Sequence, residues 1–341
     1  MTAIEITGSP GSPYTRKMLA LLRYRRLPYR VHWTNGVMPE GYPKPRVHLL
    51  PIVYLTGPDG EREALTDSTP IIRRLEAEHP HRSVIPDDPA LAFLNTLIED
   101  YADEFVTKMM FHYRWAHKAS AEVAAPLLVH WRDPLTDGEQ AKAMAQVFAT
   151  RQIDRLYVVG SNDRTAAIIE AAYERLLKIL GTLIQRRGFV LGARASSADF
   201  ALYGQLTQLA QVDPVPRDLA HDTSMRVRAW LDLMEDLSGR DPSPADWLSA
   251  EETAEALPDL LAEIGRTYTL VMIANARSIN AGEKTFTAEV DGAHWEQPVF
   301  PYQAKCLGWL RDDYASLEAD SRAQVDSWLS GSGCEALFAD L

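Results

Sequence analysis

The chain has 341 residues, too long for one ordinary domain and suited to two or three. Its 35 Lys and Arg against 47 Asp and Glu give a formal net charge of -12. No basic surplus exists to release counterions from a phosphate backbone, so nucleic acid is not expected as a main partner. Two cysteines, Cys306 and Cys334, cannot build a disulfide framework, which suits a reducing compartment.

The opening MTAIEITGSP has neither a basic n-region nor an apolar h-region, and no apolar run approaches the roughly 18 residues of a membrane span. A soluble cytoplasmic protein that does not insert into membranes is the expectation. Ile4-Glu5-Ile6 reads as a short strand, and Pro13 to Arg26 has helical periodicity ended by Pro28. Tyr29 to Trp33 alternates as a second strand, and a Pro/Gly-rich loop runs from Gly36 to Arg46. Ile52 to Leu55 is a third strand, turned by Gly57-Pro58-Asp59-Gly60 into Glu63-Ala64-Leu65. Thr66 to Glu78 follows as a helix, so the order is β-α-β and then β-β-α.

His79 to Pro89 reads as a linker, and Ala90 to about Leu248 as almost wholly helical. Beyond that, Leu257 to Ala276 is expected as helix. Phe286, Ala288 and Val290 alternate before Asp291-Gly292, a hairpin signal with His294-Trp295-Glu296 returning. Helices are expected from Tyr302 to about Leu317 and through Trp328. The domain plan is therefore residues 1–80, a linker at 81–89, a helical domain at 90–249, and an extension at 250–341 packed on the helical domain.

Within GSPGSPYTRK, residues 8–17, Pro13 suits a first helical position and Ser12 an N-cap whose hydroxyl accepts from the amide near Thr15. Helix capping alone is one reading of Ser12. Leu50-Pro51 places a proline at a strand start, where a cis bond would leave neighbouring backbone groups free to pair with an extended peptide. Asp67 and Ser68 stand at a helix entry, where amides and the positive helix end hold a carboxylate and Asp67 can hold an ammonium. Ser196 and Asp199 have capping-box spacing and carry no functional claim.

These pieces, in this order and spacing, resemble the glutathione S-transferase family over about residues 1–240. The resemblance implies a thioredoxin-like βαβ-ββα domain, an all-α domain and glutathione as cosubstrate. S-P-Y-T-R-K matches the position of that family's catalytic Ser or Cys, Leu50-Pro51 its cis-proline loop, and Asp67-Ser68 its γ-glutamyl site. It implies that Ser12 donates to the glutathione sulfur and stabilises a thiolate for attack on a small hydrophobic electrophile, with Ser9 as rival. Ser12 cannot perform thiol exchange. A homodimer is expected. The stretch Leu97–Trp115 is expected to line the electrophile pocket through Tyr101, Met109 and Tyr113; Tyr14 is read as a further pocket residue and as a third candidate, after Ser12 and Ser9, for the thiol role. Aromatic and Met stripes are equally read as core, and Asp100, Asp103 and Glu104 as a solvated face. His112 shows no partner at metal spacing, so no metal is expected. Cys306 is expected as a buried helix residue. Two other functions stay open: a non-catalytic binding or assembly module, and a glutathione-dependent lyase or isomerase.

Overall fold

The computed structural model describes residues 3–33 and 38–339, so Gly36 and Val37 of the expected loop lie outside the described residues. Strand β1 (Ile4–Gly8) leads into helix α1 (Pro13–Tyr24), then β2 (Tyr29–Trp33), β3 (Ile52–Thr56), β4 (Arg62–Leu65) and α2 (Ser68–Glu78). The sheet order is β2-β1-β3-β4. β1 runs parallel to β2, with Ile6 opposite Val31, and antiparallel to β3, with Ile6 also opposite Val53. β3 pairs antiparallel with β4 through a turn closed by Gly60, whose φ is 84°. Ile52 to Leu55 are all buried, as expected of a central strand covered on both faces. The sheet and its helices form a thioredoxin-like layer.

A long helix begins at Pro89 and is capped by Asp88, whose carboxylate accepts from the Leu91 amide at 2.8 Å. It comprises α3 (Pro89–Tyr101), a five-residue π turn (Ala102–Val106) and α4 (Thr107–Trp115). The helical domain continues with α5 (Lys118–Arg132), α6 (Gly138–Ile153), α7 (Ala166–Arg187), α8 (Ser197–Thr207), α9 (Pro214–Thr223) and α10 (Met225–Met234).

Every residue of α8 is buried. Its entry is a capping box: the Asp199 amide donates to Ser196 Oγ at 3.3 Å, and the Ser196 amide donates to the Asp199 carboxylate at 2.9 Å. Burial then raises the Asp199 pKa to about 6 against the pull of those hydrogen bonds.

The last ninety residues supply α11 (Ala250–Ala256), α12 (Pro258–Ile264), a second π turn (Gly265–Thr269), α13 (Leu270–Asn280), β5 (Thr285–Val290), β6 (Ala293–Pro298), α14 (Pro301–Ala315) and α15 (Ala319–Leu329). The β5–β6 turn holds Asp291 at φ 52° and Gly292 at φ 74°, the paired positive values of a tight hairpin turn. One core cluster runs from Ile4 in β1 to Leu337 and includes the hairpin's Phe286, Val290 and fully buried Trp295. Among the described residues no helix is long and apolar enough to cross a membrane.

Helix α1 lies against α8, with Gly204 at the contact. A Cβ there would stand 2.5 Å from the Pro13 carbonyl oxygen. Gly204 thus sets how the Ser12–Pro13 end of α1 docks. Replacing a helix-interior glycine with alanine ordinarily gains about 1 kcal/mol. At this site overlap with backbone outweighs that gain. Gly204→Ala is expected to destabilise by roughly 1–3 kcal/mol, read as a lower urea midpoint at unchanged m-value. A raised midpoint would show that the two helices part freely.

Candidate active site

Two helix starts define the site. Ser12 has extended backbone and caps α1: its Oγ accepts from the Thr15 amide at 3.2 Å and donates to the Leu50 carbonyl at 3.4 Å. Ser9 is buried at the strand end, and its Oγ accepts from the Gly11 amide at 3.4 Å. The loop between them is held from the helical domain. Arg114 donates to the Gly11 carbonyl at 3.2 Å while its Nε contacts Asp213 at 2.9 Å, and Gln208 donates to the Pro10 carbonyl at 3.3 Å. The Leu50–Pro51 peptide bond is cis.

Asp67 precedes α2 with φ 79° and ψ 111°, an uncommon conformation for a residue with a side chain. Its carboxylate makes no capping bond to the helix and instead accepts from the Tyr302 hydroxyl on α14. Among the described residues, the Ser68 and Thr69 amides in the first turn of α2 therefore meet no acceptor, and Pro70 has no amide proton.

Leu50, Pro51, Asp67 and Ser68 line one cavity of about 300 Å³. Ser12 and Ser9 are not among its lining residues; Ser12 reaches it only through Leu50. Tyr14 lines it and donates to the Asp103 carbonyl at 2.8 Å. One wall is apolar, with Leu49, Val158, Val159, Phe300 and Trp309.

The opposite wall corrects the expected pocket residues. Asp100, Asp103, Glu104, Thr107 and Lys108 face the cavity, a spacing of three and four that marks one helix face. Tyr101, Met109 and Tyr113 fall on the adjoining face, do not line the cavity and belong to the core. The acids are thus not a solvated face: Asp103 and Glu104 are buried. The sequence reading took the apolar stripe for the pocket, whereas the apolar stripe packs and the polar one meets the cavity.

That polar wall is strongly perturbed. Lys17 on α1 is buried and donates to Glu99 at 2.7 Å, Asp103 at 2.6 Å and Ser68 at 3.0 Å. Burial alone would lower its pKa, but the Asp103 and Glu99 carboxylates outweigh burial and raise it. Glu99 is held below its ordinary value, Lys17 overcoming the burial penalty.

Asp100 and Glu104 have no such cation at contact distance. Burial raises Asp100 to about 7 despite the hydrogen bond from Tyr268, and burial with the neighbouring Asp100 charge raises Glu104 to about 8. Burial lowers Lys108 to about 8, with Glu104 opposing. Lys108 donates to Gln297 Oε1 at 3.1 Å, which ties it to β6. Cys306 lines the cavity from α14, and burial, then Glu104 and Asp100, push its thiol pKa far up, so it stays protonated.

His112 has partners that spacing along the chain did not reveal. His117 lies five residues on, past the end of α4, and Glu170 comes from α7; their donor atoms and that of His112 lie within 4.8 Å of one another. The expectation that His112 lacks metal-competent neighbours is corrected. The C-terminal contributions of Phe300, Tyr302, Gln303, Cys306 and Trp309 to the cavity were also missed. Their signal lay in the Pro301-Tyr302-Gln303 helix start, which carries no positional information by itself.

The sheet order, the cis-proline beside the capped α1 and the buried, box-capped α8 define a thioredoxin-like domain joined to a helical domain. The model of the glutathione S-transferase N-terminal domain matches residues 6–83, and that of the glutathione S-transferase C-terminal domain matches residues 160–233. In these two segments the chain matches the glutathione S-transferase family.

Similar solved structures include a glutathione transferase family member from Pseudomonas fluorescens pf-5 with two glutathione bound. It is 16% identical, covers 67% of this chain and 87% of its own, and has a TM-score of 0.45. A glutathione transferase from Burkholderia graminis with two glutathione molecules per subunit is 18% identical, covers 70% and 90%, and has a TM-score of 0.42. A maleylacetoacetate isomerase from Anaeromyxobacter dehalogenans 2CP-1 with bound GSH is 14% identical, covers 71% and 98%, and has a TM-score of 0.36. No curated protein matches the chain.

The raised acids carry a pH signature. Glu104 and Asp100 keep protons in the folded chain that they would release at ordinary carboxylate values when unfolded. The folded state therefore binds more protons than the unfolded state from about pH 4 to about pH 8, and stability falls as pH rises through that window. Above about pH 8 the lowered Lys108 reverses the slope. Glu104→Gln should flatten the fall by up to about 1.4 kcal/mol per pH unit. Urea titrations at several pH values check this; parallel curves for the two proteins would place Glu104 in an unperturbed setting.

Proposed function

We propose that this chain is a glutathione transferase in which Ser12 stabilises the glutathione thiolate for attack on a small electrophile held beneath the C-terminal extension. The observation that carries the reading is the convergence of Leu50, Pro51, Asp67 and Ser68 on one cavity, with the Ser12 hydroxyl on the Leu50 carbonyl. The free amides at the start of α2 suit the γ-glutamyl carboxylate, and Asp67 suits its ammonium. The Leu50 backbone suits the peptide part. The sulfur then meets the N-terminal end of α1, where the helix dipole and a hydroxyl donor lower a thiol pKa.

Ser12 is favoured over Ser9 because Ser12 is partly exposed and its Oγ reaches Leu50, while Ser9 is buried beneath the loop. The thiolate forms a new S–C bond as the electrophile expels its leaving group or accepts the electron pair into an adjoining π system. The cavity's apolar wall suits the electrophile's hydrocarbon part.

The polar wall of Asp100, Glu104, Lys108 and Gln303 supports a second reading, a glutathione-dependent isomerase or lyase with one dedicated polar substrate. A homodimer in the cytoplasm belongs to the same proposal, and light scattering after size exclusion tests the dimer.

Retention on immobilised glutathione is the first experiment; a chain that passes through unretained and gives no titration heat would overturn both readings. Conjugation of a generic aryl halide then favours the transferase. Asp67→Ala should weaken glutathione binding by roughly 1–3 kcal/mol, the loss of a charged hydrogen bond. Ser12→Ala should leave affinity within a few-fold, raise the bound thiol's pKa and slow turnover by about a hundredfold or more. Superimposable thiolate absorbance titrations of the wild type and Ser12→Ala would remove Ser12 from the mechanism.

A further inference from the structure

Helix α4 ends at Trp115, and α5 begins at Lys118 after His117. The short break turns the chain so that His112, in the last turn of α4, and His117 face each other, with ring centroids 5.3 Å apart and planes at 86°. Glu170 projects between them from α7. His112 Nε2 stands 3.3 Å and His117 Nε2 3.0 Å from the same oxygen, Oε1 of Glu170.

Hydrogen bonding accounts for only part of this arrangement: His112 Nε2 hydrogen-bonds Glu170 Oε1, whereas His117 Nε2 does not. His117 Nε2 is buried and makes no hydrogen bond with acceptable geometry, even though Oε1 is so near. Its in-plane direction passes the carboxylate by. A buried imidazole nitrogen without a partner is costly unless something else meets its lone pair.

The separations suit a metal ion. Zinc bonds of about 2.0–2.1 Å in a tetrahedron place neighbouring donors about 3.3–3.4 Å apart, close to the two contacts on Oε1. The other ring atom of His112, Nδ1, lies 2.8 Å from Ser161 Oγ. In the tautomer with Nδ1 donating its proton to that hydroxyl, Nε2 would turn its lone pair from the Glu170 contact to an ion, the arrangement by which a second partner orients a metal-bound histidine. The Tyr113 ring stacks on His117 at 5.2 Å and 15°, which fixes its plane.

We propose that His112 Nε2, His117 Nε2 and the Glu170 carboxylate bind a divalent transition-metal ion of the zinc class. Two imidazoles and one carboxylate leave a fourth position for water, since His117 and Glu170 keep 30% and 40% of their side-chain surface exposed. The ion staples α4, α5 and α7 together. It also stands behind the cavity, because Ser161 follows the Val158–Val159 stretch that forms part of the cavity wall, and Lys108 lies one turn before His112 on α4.

The test uses the full, tag-free chain, stripped with a chelator and kept free of glutathione, which itself binds zinc. Competition against a chromophoric chelator is expected to show one equivalent of Zn²⁺ bound, and Co²⁺ to give the intense visible bands of four-coordination. Zinc is expected to raise the melting temperature of the wild type, as any ligand specific to the folded state does. His117→Ala and Glu170→Gln, both at partly exposed positions, should each weaken binding by about a hundredfold or more and abolish the melting shift. Ser161→Ala should weaken it by about 10–100-fold. Absence of stoichiometric zinc, a weak octahedral cobalt spectrum, or unchanged binding in the His117→Ala/Glu170→Gln double variant would each overturn the proposal.

Discussion

The buried ammonium of Lys17 is the interaction on which the site depends. It leaves α1 one turn after Ser12–Pro13 and meets Ser68 at the start of α2, Glu99 in α3 and Asp103 in the π turn. Four segments that must hold fixed positions around one cavity therefore share a single cation. The cost of burying such charges is large, and only good geometry with further hydrogen bonds offsets it. Here those bonds exist: Glu99 also accepts from Thr69 at 3.1 Å and from Ser197 at 2.5 Å. Ser197 opens α8, so the same cluster reaches the buried helix on which α1 docks. Taking away Lys17 would leave two carboxylates without compensation, whereas the cluster as a whole contributes more to specific placement than to net stability.

The C-terminal extension changes the electrostatics of this centre. Without α14 and β6, Asp100, Glu104 and Lys108 would face solvent from one side of a helix. With Gln303, Cys306 and Tyr302 beside them around the cavity, burial raises both acids so that they hold protons near neutral pH. The extension also reaches Asp67, whose carboxylate accepts from Tyr302. Any ammonium that binds Asp67 must share with the phenol a carboxylate that has two oxygens to offer. An Asp that capped its own helix would be less free to do so. Its positive φ turns it from the helix toward the cavity, the kind of backbone outlier that functional sites retain.

Short-range features were legible because they depend on neighbours in sequence. The Ser12 cap, the Ser196–Asp199 box and the Asp291-Gly292 hairpin are decided within four residues by hydrogen-bonding geometry and permitted φ values. The βαβ-ββα order followed from periodicity, and the family resemblance joined those pieces into a fold. What failed was the assignment of faces on the long helix. Hydrophobic periodicity tells which stripe packs, and a polar stripe reads as solvent-facing by default. Nothing between residues 89 and 115 reveals that residues some two hundred positions later will cover it. The Lys17–Glu99 pair, the His112–Glu170 contact and the Tyr302–Asp67 bond are of the same kind, joined only by the tertiary fold.

The two helix ends of the site solve opposite problems. At α1, Ser12 is both cap and donor: its Oγ accepts from the Thr15 amide and carries one proton of its own, now given to the Leu50 carbonyl at a long 3.4 Å. A hydroxyl has one donor and two acceptor positions, so it can redirect that proton to an arriving sulfur without giving up the cap. At α2 the side-chain cap is missing, and among the described residues the amides of Ser68 and Thr69 meet no hydrogen-bond acceptor. One helix is thus capped by a group able to serve a thiolate, and the other is left uncapped toward the cavity. On the proposed reading, a peptide with a carboxylate and ammonium at one end and a thiol further along would meet both helix ends at once. On that reading the pairing, more than either serine by itself, would let the site bind the peptide firmly at one helix end and tune its chemistry at the other.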